Sequence, residues 1–363
     1  MVTVAGLLIM AQIAVAGGVF RDAASAIDRS AAPLWAGPAG ANTLLESNGL
    51  DAGRASALWI IPELVGLEPF ASRYGDLSAR PPPGEGLAGV GEAWPAPPER
   101  FAMVILVDTG PDATLYARHL PQEMRARLAE PDTIIIGRED AAVLGVVVGD
   151  RVWLNGRPMR VVGTLPGMQG LGISTALIGA ANATAEDIPA FWLIALAPGT
   201  TPERIAEIAR DPALTGPLSV RPAAELTEAT IRQFVLTSGV GTIFLYIAGF
   251  ALVVAAMVVS QVMRAAVLAA VREYAALGAF GIGFGRLATL VLLQGGLVAL
   301  ASILVMAAAT VGLLAVFGWA SIPYALPLWL AGVAVAAMCL VLAGSTLLAI
   351  RHLRHADPAS LLR

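Results

Sequence analysis

The sequence contains no lysine, so its 23 basic side chains other than histidine are all arginine. Because a phosphate-binding P-loop ends in Gly-Lys-Ser/Thr, this chain cannot itself carry a normal ATPase site. The single cysteine, Cys339, excludes a disulfide scaffold and a cysteine-rich metal site, and we expect it to be a small buried apolar residue. We therefore predict no catalytic residue, no metal ligand and no bound cofactor in this chain, and we do not expect an enzyme.

Charged residues are also scarce: they make up 14% of the 363 residues, whereas 57% are hydrophobic and the mean hydropathy is +0.73. A bilayer accounts for such an excess of apolar residues better than a soluble core does. A spanning helix needs roughly 20 mostly apolar residues. We predict four transmembrane helices, at residues 1–20, 234–263, 287–317 and 328–350, the last two joined by a short loop at 318–327.

The first apolar segment has a second interpretation, as a secretory signal peptide. Ala14-Val15-Ala16 resembles a cleavage site for small residues. No basic residue precedes the apolar run, however, and the run is longer than the roughly 7–15 residues of a signal core. We therefore favour an uncleaved membrane anchor.

The arginines near the helix ends predict the orientation, because positive flanks stay on the cytoplasmic side. Residues 264–286 and 351–363 hold six of the 23 arginines, whereas the 318–327 loop has no charge. This distribution places 264–286 and 351–363 in the cytoplasm. The acidic segment 21–233 is then a large domain on the outer side, and nucleic acid is not an expected partner.

The outer segment has the pattern of an α+β domain after a loop-rich start at residues 22–100. One predicted β-α-β unit comprises a strand at 101–107, a helix at 114–128 and a strand at 133–136. A second comprises a strand at 191–196, a helix that Thr201 caps and Pro202 begins, and a strand at 218–220. Two such units favour a split sandwich of ferredoxin type.

Two further features of the outer segment are local. Asn155-Gly156 lies between apolar runs and predicts a two-residue hairpin turn, because both positions must accept positive φ. Residues 223–234 are helical in character and contain no Gly or Pro before the second span. We expect one stiff continuous helix from the outer domain into the bilayer.

The predicted spans contain no Asp, Glu, Arg or His. Intramembrane ionisable groups mark ion and proton pathways, so their absence disfavours transport driven by an ion gradient. The glycine run at 281–285 does not follow a predicted strand and is better interpreted as a flexible turn than as a nucleotide site. The energy source is therefore expected outside this chain.

The segment between the second and third spans, residues 271–281, contains Arg272-Glu273-Tyr274 followed by Leu277-Gly278. It is similar to the Arg-Glu stretch that follows the second helix in MacB/FtsX-like (type VII) ABC transporter permeases. Residues 259–262 look like the DevC branch of that family, and 137–167 look like a MacB-type periplasmic domain. The tail at 356–363 resembles the family's Asp-Pro-containing C-terminus. The order of one span, a large outer domain and three spans also matches.

The resemblance implies a permease subunit in the bacterial inner membrane that works by mechanotransmission. A separate ABC ATPase, with ATP and Mg²⁺, would push on Arg272, Glu273, Tyr274, Leu277 and Gly278. A permease homodimer, a periplasmic adaptor (membrane fusion protein) and an outer-membrane channel are the other implied partners, besides membrane lipid. The alternatives are an FtsX-like transmembrane regulator of a periplasmic cell-wall hydrolase and a lipoprotein-release permease.

Overall fold

The computed structural model describes residues 2–46, 49–50, 52–81, 99–168, 173–185, 187–211, 218–237, 239–270, 273, 280, 283–320, 322 and 324–355. The chain divides into two compact units. One, here called the membrane unit, comprises Met1–Gly18 and Gly239–Arg363, and the other, the head, comprises Val19–Ser238. The chain therefore passes between the units at residues 18–19 and 238–239.

The described helices share their numbering across both units. They are α1 (Val2–Asp22), α2 (Ser25–Asp28), α3 (Ala52–Ala55), α4 (Gln122–Leu128), α5 (Arg138–Leu144), α6 (Pro202–Ile208), α7 (Ala223–Thr237), α8 (Val240–Ala269), α9 (Phe284–Trp319) and α10 (Leu328–His355). The strands are β1 (Leu34–Pro38), β2 (Leu64–Ser78), β3 (Glu99–Val107), β4 (Thr133–Gly137), β5 (Arg151–Leu154), β6 (Arg157–Leu165), β7 (Ser174–Gly179), β8 (Phe191–Leu196) and β9 (Leu218–Pro222). Short 3₁₀ turns lie at Leu44–Glu46, Ser56–Ile60 and Ala180–Asn182.

In the described part of the membrane unit and its connection, three helical segments are long and apolar enough to cross a membrane: Thr3–Asp22, Val240–Val262 and Leu292–Trp319. A shorter apolar segment, Leu328–Gly344, begins α10. The helices α9 and α10 extend beyond the spans predicted at 287–317 and 328–350, whereas α8 is shifted relative to the span predicted at 234–263, beginning at Val240 and ending at Ala269. Cys339 is exposed on the protein surface of α10, within the apolar segment Leu328–Gly344.

The membrane unit packs α1 against α9 and α10. Its core cluster contains mainly long apolar side chains from these helices: Ile9, Met10, Met306, Ala334 and Met338. The 318–327 connection also meets α1, since the Ala325 N–H donates to the Ala14 carbonyl at 2.9 Å. A Cβ on Gly17 would lie 2.1 Å from the Ala325 carbonyl oxygen, so this close approach requires glycine.

The head contains two sheets that share the 15-residue strand β2. Its first half joins an antiparallel sheet in the order β2-β8-β1-β9. Its second half pairs with both β3 and β5, which closes β2-β3-β7-β4-β6-β5 into a six-stranded ring. Within the ring, β3 with β7 and β4 with β6 run parallel. The fully buried Trp35 packs edge-on against Phe70 and Phe191 at the centre of the first sheet.

The first predicted β-α-β unit is wrong in two respects. The strands β3 and β4 are separated by β7, which is parallel to one and antiparallel to the other, so they run in opposite directions. The intervening helix begins only at Gln122, because Pro121 adopts an extended backbone (ψ 144°) and disfavours helix in the residue before it. Residues 22–100 are not simply loop-rich either, since they contain β1 and β2.

The second predicted unit corresponds to β8, α6 and β9, with β1 lying between the two strands. The predicted and observed bounds of the strand at 191–196 are the same. Pro202 is the first residue of α6, as its fixed φ favours. Thr201 occupies the N-cap position, but its side chain makes no capping hydrogen bond.

Candidate functional site

The predicted coupling segment follows α8 and precedes α9. Glu273 is helical and exposed. The other four residues of this prediction, Arg272, Tyr274, Leu277 and Gly278, lie outside the described residues. The structure therefore places one exposed carboxylate of the set in the connection between two apolar helices.

The predicted hairpin residues occupy the turn between β5 and β6. Asn155 (φ 49°) and Gly156 (φ 80°) both have positive φ, as a two-residue turn requires. The turn is also fixed to β2, because the Asn155 Oδ1 accepts the Asp76 N–H at 2.7 Å and the Asn155 N–H donates to the Asp76 carbonyl at 2.9 Å. The hairpin thus joins β5 firmly to one side of the ring.

Replacing Asn155 with valine should destabilise this side of the ring. A β-branched residue at positive φ is strained, and the variant also loses the side-chain bond to Asp76, so we expect about 2 kcal/mol of lost stability. Amide exchange of Asp76 in the full chain should rise correspondingly. Asn155→Gly relieves the strain but still lacks the side-chain bond and should lose less; equal losses in both variants would contradict this account of the turn.

On the head side, side-chain contacts join α1, through which the chain enters the head, to α7, through which it leaves. Near the first passage, Phe20 at the end of α1 meets Phe234 of α7 edge-on, with ring centroids 6.3 Å apart. Asp28 of α2 bridges the same two helices: its Oδ2 lies 3.2 Å from Arg21 Nε, and its Oδ1 accepts the Thr227 hydroxyl at 3.4 Å. We call these five residues the clamp. The aromatic pair contributes most, about 1 kcal/mol, because the ion pair is largely exposed.

The helix α7 is also fixed to the rest of the head through the turn at residues 43–46. The buried Thr230 hydroxyl accepts the Leu44 N–H at 3.0 Å. Gln233 accepts a hydrogen bond from the Thr43 hydroxyl and donates from Nε2 to Glu46 Oε1 at 2.6 Å. Each of these bonds joins residues far apart in sequence. They therefore attach α7 to the rest of the head.

The predicted continuous helix into the second span is interrupted. The helix α7 ends at Thr237 and α8 begins at Val240, with Gly239 between them at φ +75°. A left-handed residue ends an α-helix, and glycine adopts this conformation without the strain that a Cβ causes. The prediction considered residues only up to 234 and missed this glycine.

A loop at residues 108–121 connects the ring to the start of the head. Its Thr114 carbonyl accepts the Ala31 N–H at 2.9 Å, and its Tyr116 N–H donates to the Arg29 carbonyl at 3.0 Å. The buried Glu68 of β2 accepts the N–H groups of Thr114 (2.5 Å) and Leu115 (3.1 Å) through Oε2. Residues 29–31, which follow Asp28 of the clamp, are thus hydrogen-bonded to the 108–121 loop.

Arg125 completes the attachment of this loop. Although it is only 6% exposed, its guanidinium donates to the carbonyls of Asp108 and Leu115, the latter at 2.9 Å. Desolvation lowers the pKa of Arg125, while the charges of Glu68 and Asp108 raise it. The loop therefore lies between a buried carboxylate and a buried guanidinium.

The ring also contains a fully buried carboxyl group, Asp140 of α5. Its Oδ1 accepts the Ser174 hydroxyl at 2.6 Å and lies 3.7 Å from Arg100 Nε. Desolvation raises the pKa of Asp140 above its usual range, and the Ser174 hydrogen bond and Arg100 only partly oppose this. Among the described residues, no three or more His, Cys, Asp or Glu side chains are grouped to hold a metal ion.

This raised pKa predicts a pH-dependent stability. Above pH 3.8 the unfolded chain releases the proton of Asp140, whereas the folded state keeps it. The stability that this group contributes is therefore fully present below pH 3.8 and is lost as the pH rises through the folded-state pKa. Asp140→Asn should therefore gain stability relative to the parent between pH 4 and pH 7 in thermal unfolding of the full chain. Asp112→Asn, at an exposed site, is the control, and an unchanging Asp140→Asn difference would contradict the assignment.

The sequence analysis missed the clamp, Glu68 and Arg125. Phe20 and Phe234 each stand at the edge of an apolar run, where an interfacial aromatic is expected, but nothing in the pattern pairs them. Glu68 and Arg125 look like ordinary surface charges within their segments. Glu68 is bonded to Leu115, 47 residues further along the chain, and Arg125 to the carbonyls of Asp108 and Leu115, 17 and 10 residues before it.

Two solved structures that resemble part of this chain are a periplasmic region and an extracellular domain. The periplasmic region of MacB from Actinobacillus actinomycetemcomitans is 13% identical, with a TM-score of 0.32, over 58% of this chain and 96% of that chain. The extracellular domain of the noncanonic ABC-type transporter YknZ from Gram-positive bacteria is 10% identical, with a TM-score of 0.30, over 52% and 98%. No protein-family model and no curated protein matches the sequence.

Proposed function

We propose that this chain is the permease subunit of an ABC-type exporter that acts by mechanotransmission. A partner ATPase would act on the coupling segment at residues 264–286, and the head would move on the other side of the membrane. Efflux of a periplasmic substrate would follow through an adaptor and an outer-membrane channel. ATP and Mg²⁺ would bind the partner, since a chain without lysine has no normal P-loop.

The clamp is the observation that carries this proposal. The chain enters the head at residues 18–19 and leaves it at 238–239, and Phe20 and Phe234 hold the two adjoining helices together. Hydrogen bonds between the turn at residues 43–46 and the Thr230 and Gln233 side chains then attach α7 to the rest of the head. A displacement of either helix would therefore move the head as a body, which is what a transmitter of force requires.

Finer features belong to the same proposal. We include α10 as a fourth span, in an inner membrane, although its described apolar segment is shorter than the other three. We also interpret the β2-β8-β1-β9 sheet as ferredoxin-type, because β8 lies between β1 and β2, and β1 lies between β8 and β9. The first unit of the sandwich is then the segment from β1 to β2, rather than the segment from β3 to β4, and the second unit is β8-α6-β9. A permease homodimer is the proposed assembly.

Co-purification tests the proposal. The full chain, tagged and extracted in mild detergent, should retain an ABC ATPase, and mass spectrometry of the complex should also recover a periplasmic adaptor. Purification without any ATPase would overturn the proposal. Recovery of a coiled-coil cell-wall hydrolase in place of an adaptor would favour the FtsX-like alternative, and recovery of a lipoprotein carrier would favour lipoprotein release.

A further inference from the structure

Beside the 108–121 loop, the head contains an open cavity of about 310 Å³. Its lining residues come from three separate parts of the head: Arg29, Tyr116, His119, Leu165, Pro166 and Met168. Small-molecule sites run from roughly 300 to 1,000 Å³, so this cavity suits a small ligand. No lining residue of this cavity belongs to the clamp or to the coupling segment.

One side of the cavity carries hydrogen-bond donors. Arg29 Nη1 lies 3.5 Å from the Tyr116 hydroxyl, and its guanidinium carbon lies 5.6 Å from the centre of that ring. His119 is exposed and meets the same ring edge-on at 6.4 Å. Because a guanidinium has five donors, Arg29 retains donors beyond those it gives to Tyr116 and to the Gly167 carbonyl.

Tyr116 is held in this position by its backbone. The residue is fully buried and has φ +56°, a conformation that non-glycine residues rarely adopt. Its carbonyl accepts the His119 and Leu120 N–H groups at 3.0 and 2.9 Å. Among the described residues, nothing accepts the proton of the Tyr116 hydroxyl. Burial raises the pKa of Tyr116, so this hydroxyl remains a donor at neutral pH.

The other side of the cavity is apolar, with Leu165 and Met168 buried and Pro166 exposed. Among the described residues, no carboxylate lines the cavity. Asp22 interacts electrostatically with Arg29 and Tyr116 but is not a lining residue. A cationic ligand would therefore find no anionic partner in the described lining, whereas an acidic group would find the donors of Arg29 and His119.

We propose that this cavity binds a small organic anion. The acidic group of the ligand would accept hydrogen bonds from Arg29 and His119, while the buried Tyr116 hydroxyl would position Arg29. The apolar body of the ligand would contact the side formed by Leu165, Pro166 and Met168. A carboxylate or a phosphate fits this chemistry, because both accept charge-assisted bonds from a guanidinium. The site stands independently of the proposed export function, since it needs neither an ATPase nor motion of the head.

Photolabelling of the full chain in phosphatidylcholine nanodiscs tests the site. The probe is octanoate with a diazirine near its methyl end, and crosslinks are located by peptide mass spectrometry. We expect saturable labelling at residues 165–168 that octanoate competes and octan-1-ol does not. Arg29→Gln should reduce labelling about tenfold, because it removes the charge-assisted bond. The exposed neighbour Arg118 does not line the cavity, so Arg118→Gln is the matched control.

Tyr116→Phe provides a second variant that keeps the ring and removes only the hydroxyl that accepts a hydrogen bond from Arg29. The loss of this positioning contact should also weaken labelling. Replacing phosphatidylcholine with phosphatidylglycerol identifies the source of the acidic group. Suppressed labelling indicates that the site binds a lipid headgroup, and retained labelling indicates that it binds a free acid. Unsaturable labelling, equal competition by octan-1-ol, or full labelling of both Arg29→Gln and Tyr116→Phe would overturn the proposal.

Discussion

Glu68→Ala should lower the stability of the head by about 3 kcal/mol, because each buried donor left without its acceptor costs roughly 1–3 kcal/mol. Glu68 is 5% exposed, and its carboxylate accepts the Thr114 N–H at 2.5 Å, the Thr114 hydroxyl at 2.6 Å and the Leu115 N–H at 3.1 Å. Truncation leaves these donors without an acceptor and removes the nearby negative charge that favours ionised Arg125.

Hydrogen exchange of the full chain in detergent measures this effect directly, because the Thr114 and Leu115 amides themselves bond to Glu68. Both should exchange far faster in Glu68→Ala. Glu68→Gln keeps one acceptor oxygen and should show a smaller change, and Glu203→Ala, at an exposed position of α6, should show none. Unchanged protection of the two amides in Glu68→Ala would show that the 108–121 loop is held by other contacts.

Arg272→Glu should uncouple the partner ATPase from export while leaving the head folded. The reason is electrostatic: if Arg272 and Glu273 pair with charges on the ATPase surface, a reversed charge replaces attraction by repulsion, and close charge pairs at interfaces are worth roughly 1.5–7 kcal/mol. At the low end this corresponds to about a tenfold change in affinity. The measurement is ATPase recovery and ATP turnover in the purified complex.

Two controls separate position from net charge. The double variant Arg272→Glu, Glu273→Arg keeps the net charge and should still fail, because each partner charge then meets the wrong sign. Arg204→Glu changes the net charge equally but lies on α6 of the head, so it should retain the ATPase. If Arg272→Glu behaves like Arg204→Glu, the coupling role of the segment is wrong.

Local patterns in the sequence predicted the local elements of this fold. The apolar run at 191–196 and the Asn155-Gly156 turn each depend on neighbouring residues, and the structure has β8 and the β5-β6 turn at those places. The closed ring could not be predicted in this way. It depends on β2 pairing with β8 along its first half and with both β3 and β5 along its second half, and such pairings leave no periodic signal in β2 itself.

The candidate site was less predictable than the fold for the same reason. Glu68 is attached to the 108–121 loop through contacts with residues 46 and 47 positions away. Arg125 is bonded to the same loop over 10 and 17 residues, but the helix predicted at 114–128 left no loop there to bind. Pro121 was the available signal against one long helix. Gly239 was a similar signal against a continuous helix from the head into the second span. In both cases one proline or glycine, through its backbone preference, interrupted a helix that the composition of the surrounding residues favoured.

The central claim is that energy enters on one side of the membrane and acts on the head at the other. Cysteine labelling tests it most directly, in a Cys339→Ser background, with Glu203→Cys in the head and Glu273→Cys in the coupling segment, both exposed positions. A membrane-impermeant maleimide should label Glu203→Cys in intact spheroplasts and Glu273→Cys only after lysis. Labelling of both positions before lysis, or protection of Glu203→Cys until lysis, would contradict the account.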